Sequence, residues 1–209
     1  MKISYAICTH NEDETLLNLL YSINEYLDAE DEIVVLDDYS DNPETLKILE
    51  SLDNVHKNKL NKNFSNHKNI LNSKCKGDFI FQLDSDELPS KHLMKNIKKI
   101  IELNSKKDLF YIPRTNKVNG ITQKHLKMYK WKLDKFGRIN YPDYQGRLFK
   151  NTKNIRWTRA LHEHIIGHTN YTKLPTDSNL EIHHIKDIKT QEIANQFYND
   201  NYTDDFEIK

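Results

Sequence analysis

The sequence predicts an α/β fold built on a mostly parallel sheet that is flanked by helices. Apolar runs of strand length alternate with helical patterns of apolar residues from the N-terminus to about residue 105. Such alternation is typical of parallel sheets with helices on both faces. A strand such as residues 32–38 is also continuous in apolar residues, as expected when helices cover both of its sides.

The first half of the chain contains four predicted strands and four predicted helices. The strands are residues 2–8, 32–38, 55–60 and 78–83, of which the third is a short and poorly marked edge strand. The helices begin near Asp13, within residues 40–44, at Ser65 and at Pro89, positions that carry capping or proline start signals or follow a break in the strand pattern. We expect the third helix to end at Gly77, because glycine suits the residue after a helix C-terminus.

The composition changes after residue 108. Residues 108–114 and 145–150 read as strands separated by a stretch rich in Lys and Tyr, which favours an antiparallel appendage or a long insertion over another strand-helix unit. Residues 191–198 read as a closing helix. We therefore predict one compact domain with a functional division near residue 105.

Composition argues against several classes of protein. Lys and Arg number 31 and Asp and Glu number 31, so no overall charge favours nucleic acid as a partner. Two cysteines without a CxxC spacing predict neither a zinc site nor a disulfide framework. The short apolar start does not match a signal peptide, and no run approaches the ~20 apolar residues of a membrane span. These features predict a soluble, cytoplasmic protein.

Polar clusters end three of the predicted strands. They are Thr9/Asn11/Glu12, Asp37/Asp38 and Asp84/Asp86. One such cluster alone is as well explained by a solvated turn. Because the carboxyl ends of parallel strands lie at one edge of a sheet, the three together predict a shared ligand crevice.

The pair Asp84 and Asp86 suits a hard cation such as Mg²⁺ or Mn²⁺ that carries a phosphate. The chain has five glycines and neither a GxGxxG nor a GxxxxGK[ST] loop. A bound diphosphate would therefore need a metal rather than a cradle of backbone amides.

Four segments of the first half carry a family resemblance. They are Thr9-His10-Asn11-Glu12, residues 34–41 (VVLDDYSD), Asn66-His67-Lys68-Asn69 and residues 77–87 (GDFIFQLDSDE). In this order they resemble the successive motifs of the family 2 glycosyltransferases, which have the GT-A fold, a Rossmann-like sheet. The departure is Tyr39, where the family usually carries a small residue, often Gly.

The resemblance implies a nucleotide-sugar donor, usually a UDP-sugar, held by residues 1–105. Its base and ribose would lie near Thr9, Glu12 and Asp38, and a divalent metal on Asp84-Ser85-Asp86. Lys68 matches a basic residue that the family often has near the diphosphate, although a solvated helix lysine is the alternative. The implied donor-binding residues are Thr9, Asn11, Glu12, Asp37, Asp38, Lys68, Asp84 and Ser85.

The second half, residues 106–209, resembles transferases related to those that add sugars to the lipopolysaccharide core. The likeness rests on residues 141–150 (YPDYQGRLFK), 155–157 (IRW) and 161–165 (LHEHI). It implies a smaller acceptor-binding region in which Glu163 is the base that deprotonates a hydroxyl acceptor of glycan type. Asp143 is the reserve candidate, and a simple ion pair with a neighbouring His is the alternative for Glu163.

The histidines also suggest a metal ligand. Residues 162–166 fail the HExxH zinc template because their fifth residue is Ile. His183 and His184 follow an apolar strand-like run, and GT-A enzymes often complete the metal site with a late histidine. Neighbouring strand residues face opposite ways, so at most one of the two should reach the metal, and we predict His184.

The sequence thus predicts a metal-dependent, inverting glycosyltransferase of unknown oligomeric state. A metal-dependent nucleotidyltransferase would share the sheet, but it ordinarily has a Gly-rich basic loop after the first strand. A non-catalytic sugar-nucleotide or glycan-binding module is the other alternative, and it would not need Glu163. Among the aromatics, we assign Trp157 to the core and leave Trp131 open between core and acceptor groove.

Overall fold

A computed structural model describes residues 1–202. The strands are β1 (Ile3–Thr9), β2 (Glu32–Asp37), β3 (Val55–Lys57), β4 (Phe79–Asp84), β5 (Glu87–Pro89), β6 (Leu109–Asn119), β7 (Ile139–Lys150), β8 (Arg156–Thr158), β9 (His164–Ile166), β10 (Tyr171–Lys173) and β11 (Ile182–Asp187). The helices are α1 (Glu14–Asn24), α2 (Pro43–Glu50), α3 (Phe64–Asn72), α4 (Lys91–Leu103), α5 (Gln123–Met128) and α6 (Ile188–Asn201).

In the described part of the chain, strands from both halves form one nine-stranded sheet. Its strand order is β3-β2-β1-β4-β7-β6-β11-β5, and β10 pairs with β6. The strands β1 to β4 are parallel to one another, whereas β7 runs antiparallel to both β4 and β6. β8 and β9 form a separate hairpin. This confirms the predicted fold, a mostly parallel sheet flanked by helices.

Both faces of the sheet are covered, as the continuous apolar strands predict. Alternate side chains of β1 and β4 point to opposite faces. Tyr5 and Phe81 pack with buried residues of α1 and α4, while Ala6 and Ile80 pack with α3 and with Trp157 of the β8-β9 hairpin. The sheet is thereby held between two apolar layers, and its strand ends remain available for a site.

The third helix ends earlier than the sequence indicates. α3 stops at Asn72, and Gly77 lies further on, where the chain passes β1. A Cβ atom built on Gly77 would lie 2.6 Å from the backbone nitrogen of Ser4. Gly77 is therefore required by this close approach rather than by the helix end.

The sheet continues from β4 through β7 to β6, so the predicted halves share it, and the division near residue 105 falls between α4 and β6. The assignment of donor binding to 1–105 and of acceptor binding to 106–209 stays a prediction, and residues 203–209 lie outside the described residues. Within residues 1–202, no helix is both long enough and apolar enough to cross a membrane.

Candidate active site

The carboxyl ends of β1, β2 and β4 open into one cavity of about 930 Å³. This volume is at the upper end of the range of ligand pockets, ~300–1,000 Å³. Ten of the predicted site residues line it: Thr9, Glu12, Asp38, Lys68, Asp84, Ser85, Asp86, Asp143, Glu163 and His184. The expected convergence of strand ends therefore occurs, and it includes residues from both halves of the chain.

Two predicted donor-binding residues do not line the cavity. Asp37 is fully buried, and its Oδ1 accepts hydrogen bonds from the backbone N–H and hydroxyl of Ser40 at 3.0 and 2.6 Å. Asn11 accepts from the backbone N–H groups of Asp41 and Asn42 at 2.8 and 2.9 Å. Both side chains fix the loop that follows β2, and this loop positions Asp38.

Asp84 lies between two cations. Its Oδ2 accepts a hydrogen bond from Arg147 Nη2 at 2.7 Å, and its Oδ1 lies 3.4 Å from Lys68 Nζ. Burial alone would raise the pKa of Asp84, but Arg147 and Lys68 together hold it well below its usual range. Asp84 is thus ionised at neutral pH, and Arg147 and Lys68 offset its negative charge.

Arg147, which lines the cavity, belongs to a largely buried network of ion pairs. Its Nη2 also donates to Glu87 Oε1 at 2.6 Å, and Arg114 Nη1 donates to the same oxygen at 2.8 Å. Arg114 also donates to Asp143 Oδ2, from Nε at 2.9 Å and from Nη2 at 2.7 Å. The network therefore links the strand end of β4 to the middle of β7 through alternating charges.

A second series of contacts fixes the imidazole of His184. Asn116 Nδ2 donates to Asp143 Oδ2 at 2.8 Å, which orients the amide so that Oδ1 faces His184 Nδ1, also at 2.8 Å. Nε2 of the same ring faces Asp86 Oδ2 at 3.1 Å. Burial would raise the pKa of Asp86, but His184 and Lys186 lower it.

Asp86 and His184 fit a hard divalent cation. They offer an oxygen and a nitrogen that face each other, and the other imidazole nitrogen is held by an amide, which is the outer-sphere pattern of metal-binding histidines. Asp84 fits less well, because both of its oxygens face cations, whereas at Asp86 only Oδ2 has a cation near it, Lys186 Nζ at 3.2 Å. Within residues 1–202, no group of three or more His, Cys, Asp or Glu side chains is arranged to hold a metal.

Lys68 connects the two sides of the cavity. Its buried ammonium group contacts Glu163 Oε1 as well as Asp84, and it lies 4.7 Å from the centre of the Trp157 ring. Burial lowers the pKa of Lys68, but the carboxylates of Asp84 and Glu163 raise it above the usual value. The alternative of a solvated helix lysine is wrong for this residue.

The aromatic residues have separate roles. Trp157 is buried, as predicted, and its Nε1 donates to Gln82 Oε1 at 2.7 Å, although one side of the residue reaches the cavity. Trp131 is half-buried, lines the cavity and lies against Tyr129 with ring centres 4.7 Å apart. Tyr198 of α6 closes the cavity, and burial, with Asp84 and Glu163 nearby, raises its pKa.

Sequence reasoning missed most of the charged framework of the site. The missed charged residues are Glu87, Arg114, Arg147 and Lys186, and the missed uncharged residues are Asn116 and Tyr198. One signal was present, because Arg147 is a cation directly before the apolar pair of residues 148 and 149 in a predicted strand. A charge at such a position indicates a buried partner.

By fold and by site, this is an α/β protein whose ligand cavity lies at the carboxyl ends of parallel strands. The family model described as Glycosyl transferase family 2 matches residues 4–166. The chain belongs to this family and has its GT-A fold. No curated protein sequence matches the chain.

Solved structures of TarS from S. aureus share this fold. One has a TM-score of 0.62 and 19% identity, and the match covers 88% of this chain and 37% of that one. TarS 1-349 in complex with UDP-GlcNAc has a TM-score of 0.61 and 20% identity over 89% of this chain and 59% of that one. TarS 1-349 in complex with UDP has a TM-score of 0.62 and 19% identity, and the match covers 88% of this chain and 60% of that one. The chain thus spans little more than a third of the first of these proteins.

Proposed function

We propose that this chain transfers a sugar from a UDP-sugar to a hydroxyl group of a glycan-type acceptor by a single inverting displacement. The observation that carries the proposal is the shared cavity, which acids from three strand ends line and in which the buried Lys68 contacts both Asp84 and Glu163. The family match and the UDP and UDP-GlcNAc complexes of TarS support a nucleotide-sugar donor.

On the donor side, Thr9, Glu12 and Asp38 would hold the base and ribose. Asp38 is positioned for this because its backbone N–H donates to Thr9 O at 3.0 Å and its Oδ1 accepts from Leu60 N at 2.8 Å. One carboxylate oxygen thus fixes the residue while the other is available to a ligand hydroxyl. The polar strand ends of β1 and β2 would together form the nucleoside pocket.

The diphosphate would lie near Asp84, Asp86 and Lys68. Asp86 and His184 would hold Mn²⁺ or Mg²⁺, which when bound supplies positive charge for the departing diphosphate. Lys68 would add a second positive charge on the same side, from a buried position where electrostatic interactions are strong. Arg147 keeps Asp84 ionised and oriented beneath them.

On the acceptor side, Glu163 would take the proton from the attacking hydroxyl group. The hydroxyl oxygen then forms a bond to the anomeric carbon, and the bond to the diphosphate breaks with its electron pair leaving on the diphosphate. Glu163 is favoured over Asp143 as the base, because Asp143 already accepts from Arg114, Asn116 and Gln145. These donors lower the pKa of Asp143, although burial by itself would raise it.

A panel of nucleotide sugars tests the proposal. Thermal stabilisation in Mn²⁺ identifies the donor, and release of free UDP measures turnover with water or with added glycans. We expect UDP release from at least one UDP-sugar. Tight donor binding without any release, across the panel and a range of acceptors, would instead support the non-catalytic binding module.

Calorimetry with UDP tests the metal site separately from catalysis. We expect UDP affinity to fall at least about tenfold in excess EDTA, since the diphosphate would lose a charge partner. His184→Ala should reproduce part of that loss. The control His183→Ala should bind normally, because the His183 side chain does not line the cavity. Equal affinities with and without EDTA would contradict a metal role in UDP binding.

A further inference from the structure

The charge of this chain is unevenly distributed. Residues 117–138, which we call the basic segment, contain six lysines and Arg138 but a single acid, Asp134. The whole chain has no formal net charge. All six of these lysines are exposed: Lys117, Lys124, Lys127, Lys130, Lys132 and Lys135. A surface this positive has to be balanced by the rest of the molecule, and it attracts anionic partners.

The basic segment is a folded unit and not a loose loop. Trp131 N donates to Leu126 O at 3.0 Å, which ties the residues after α5 back onto that helix. Lys132 and Asn140 exchange hydrogen bonds, from Asn140 N to Lys132 O at 2.8 Å and from Lys132 N to Asn140 Oδ1 at 2.9 Å. Its charges are therefore presented on a fixed backbone.

Asp134, the one acid of the segment, is used internally. Its Oδ1 accepts from the backbone N–H groups of Phe136 and Arg138, both at 2.9 Å, and its Oδ2 accepts from Arg138 Nε at 2.6 Å. These bonds close a tight turn with Phe136 at its tip. The acid thus builds the turn and offsets Arg138, and the six lysines remain uncompensated within the segment.

Large apolar side chains are exposed between these lysines. Phe136, Met128 and Leu133 are 60%, 56% and 41% exposed. The Phe136 ring is flanked by Lys135 Nζ at 5.0 Å and by the Arg138 guanidinium at 5.1 Å from its centre. Exposed aromatic and aliphatic side chains among lysines are typical of surfaces that enter the headgroup region of a bilayer.

We propose that the basic segment docks this protein onto an anionic membrane surface. The lysines would contact the charged headgroups, and Phe136, Met128 and Leu133 would enter the boundary between headgroups and acyl chains. A soluble polyanion would use the lysines equally but would gain nothing from an exposed methionine and leucine. Charge complementarity and these apolar residues together favour a bilayer as the partner.

The basic segment adjoins the cavity, since its Val118 and Trp131 line the cavity wall. Docking through this segment would therefore hold the opening of the cavity close to the membrane surface. Membrane binding needs neither a nucleotide sugar nor an acceptor, so it can be measured without any assumption about sugar transfer. Failure of one proposal leaves the other intact.

Co-sedimentation of the full chain with vesicles tests the proposal. We expect binding to vesicles of phosphatidylcholine mixed with phosphatidylglycerol, little binding to phosphatidylcholine alone, and weakening as salt is raised. Lys127→Glu combined with Lys132→Glu should lower the partition coefficient about tenfold or more, because each cation near the surface contributes measurably. Phe136→Ser should lower it about fivefold through loss of apolar insertion.

Matched controls lie away from the basic segment. Lys95→Glu with Lys99→Glu changes two exposed lysines of α4, and Tyr21→Ser removes an exposed aromatic ring of α1. Both controls should bind vesicles like the unmodified chain. Three results would each overturn the proposal. They are equal losses in the test and control variants, absence of vesicle binding, and binding to soluble dextran sulfate or single-stranded nucleic acid in preference to vesicles.

Discussion

At the scale of single residues, the cavity is organised by pairs of opposite charge. Lys68 lies between Asp84 and Glu163, and Lys186 lies 3.2 Å from Asp86 Oδ2. Each carboxylate that we assign to chemistry therefore has a cation in contact with it. These cations orient the carboxylates before any ligand arrives, and they hold the pKa of Asp84 and of Asp86 below the usual range although burial would raise it.

Asp38 and Glu163 should fail in different ways when they are changed. Asp38→Ala should weaken UDP binding about tenfold or more, the loss expected for a hydrogen bond to a charged group. Glu163→Gln should retain UDP binding but lower kcat by roughly 10²–10⁴, the usual contribution of general-base catalysis. Calorimetry and steady-state kinetics separate the two effects, and similar losses of UDP affinity in both variants would refute this division of roles.

Tyr39 has an unfavourable backbone conformation. Its φ of 51° lies in the left-handed region, where residues with a Cβ atom cost about 1–2 kcal/mol, and its side chain is 59% exposed. Tyr39→Gly should therefore stabilise the protein by about 0.5–1 kcal/mol after the extra flexibility of glycine in the unfolded chain is subtracted. The midpoint of urea unfolding measures this. A lower midpoint would mean that contacts of the tyrosine ring outweigh the strain.

The two thiols should react very slowly in the native protein. Burial raises the pKa of Cys8 to about 12 and also raises that of Cys75 to about 12. Because the thiolate is the reactive form, very little of either thiol is reactive at pH 8. Iodoacetamide should label both residues in urea and neither in the folded chain, as measured by mass spectrometry. Raising the pH should accelerate the labelling of the folded chain. Rapid native labelling of Cys8 would indicate that water reaches it from the cavity.

At the scale of secondary-structure elements, the capping residues connect stability to the site. α3 carries Lys68, and its N-terminus is capped by Asn63, whose Oδ1 accepts from Asn66 N at 2.9 Å. α2 is capped in the same way by Asn42, which accepts from Glu44 N at 2.8 Å. α2 carries none of the residues that line the cavity.

The two caps form a matched pair of variants. Asn63→Ala and Asn42→Ala should each lower the free energy of unfolding by about 1 kcal/mol, the typical contribution of an asparagine cap. Only Asn63→Ala should also weaken UDP binding, because the first turn of α3 positions Lys68. Thermal melts and calorimetry of both variants test this, and an equal effect of the two on UDP binding would show that the cap has no specific link to the site.

At the scale of the whole molecule, one buried network of charges joins the two halves of the chain. Arg147 is 3% exposed and Glu87 is 1% exposed, and they pair across the sheet. Since a buried charge without a partner is costly, the network makes the docking of β7 against β4 and β5 sensitive to any single loss.

A double-mutant cycle tests this coupling. Arg147→Met should destabilise the chain by about 3–5 kcal/mol, because Glu87 and Asp84 would lose a buried cation. Adding Glu87→Gln should recover part of the loss, with a coupling energy of about 0.5–3 kcal/mol. Urea unfolding of both single variants and the double variant gives this energy. Strictly additive losses would show that the two residues act independently.

The sequence by itself determined the alternation of strands and helices, the polar ends of β1, β2 and β4, and the family. These features are local: apolar periodicity and strand-end residues are readable within a few neighbours in the chain. The family resemblance predicted Glu163, and strand alternation allowed at most one of His183 and His184 to reach the metal, with His184 preferred. The structure brings Glu163 and His184 to the cavity.

Only the tertiary structure decided how the charges are partnered. Arg147 meets Asp84 across 63 residues, Lys68 meets Glu163 across 95, and His184 meets Asp86 across 98. No local pattern specifies such pairs, because the distance between them depends on the order and register of strands in the sheet. For the same reason the sequence could place Asp37 at a strand end but could not show that its side chain turns inward to Ser40, away from the cavity.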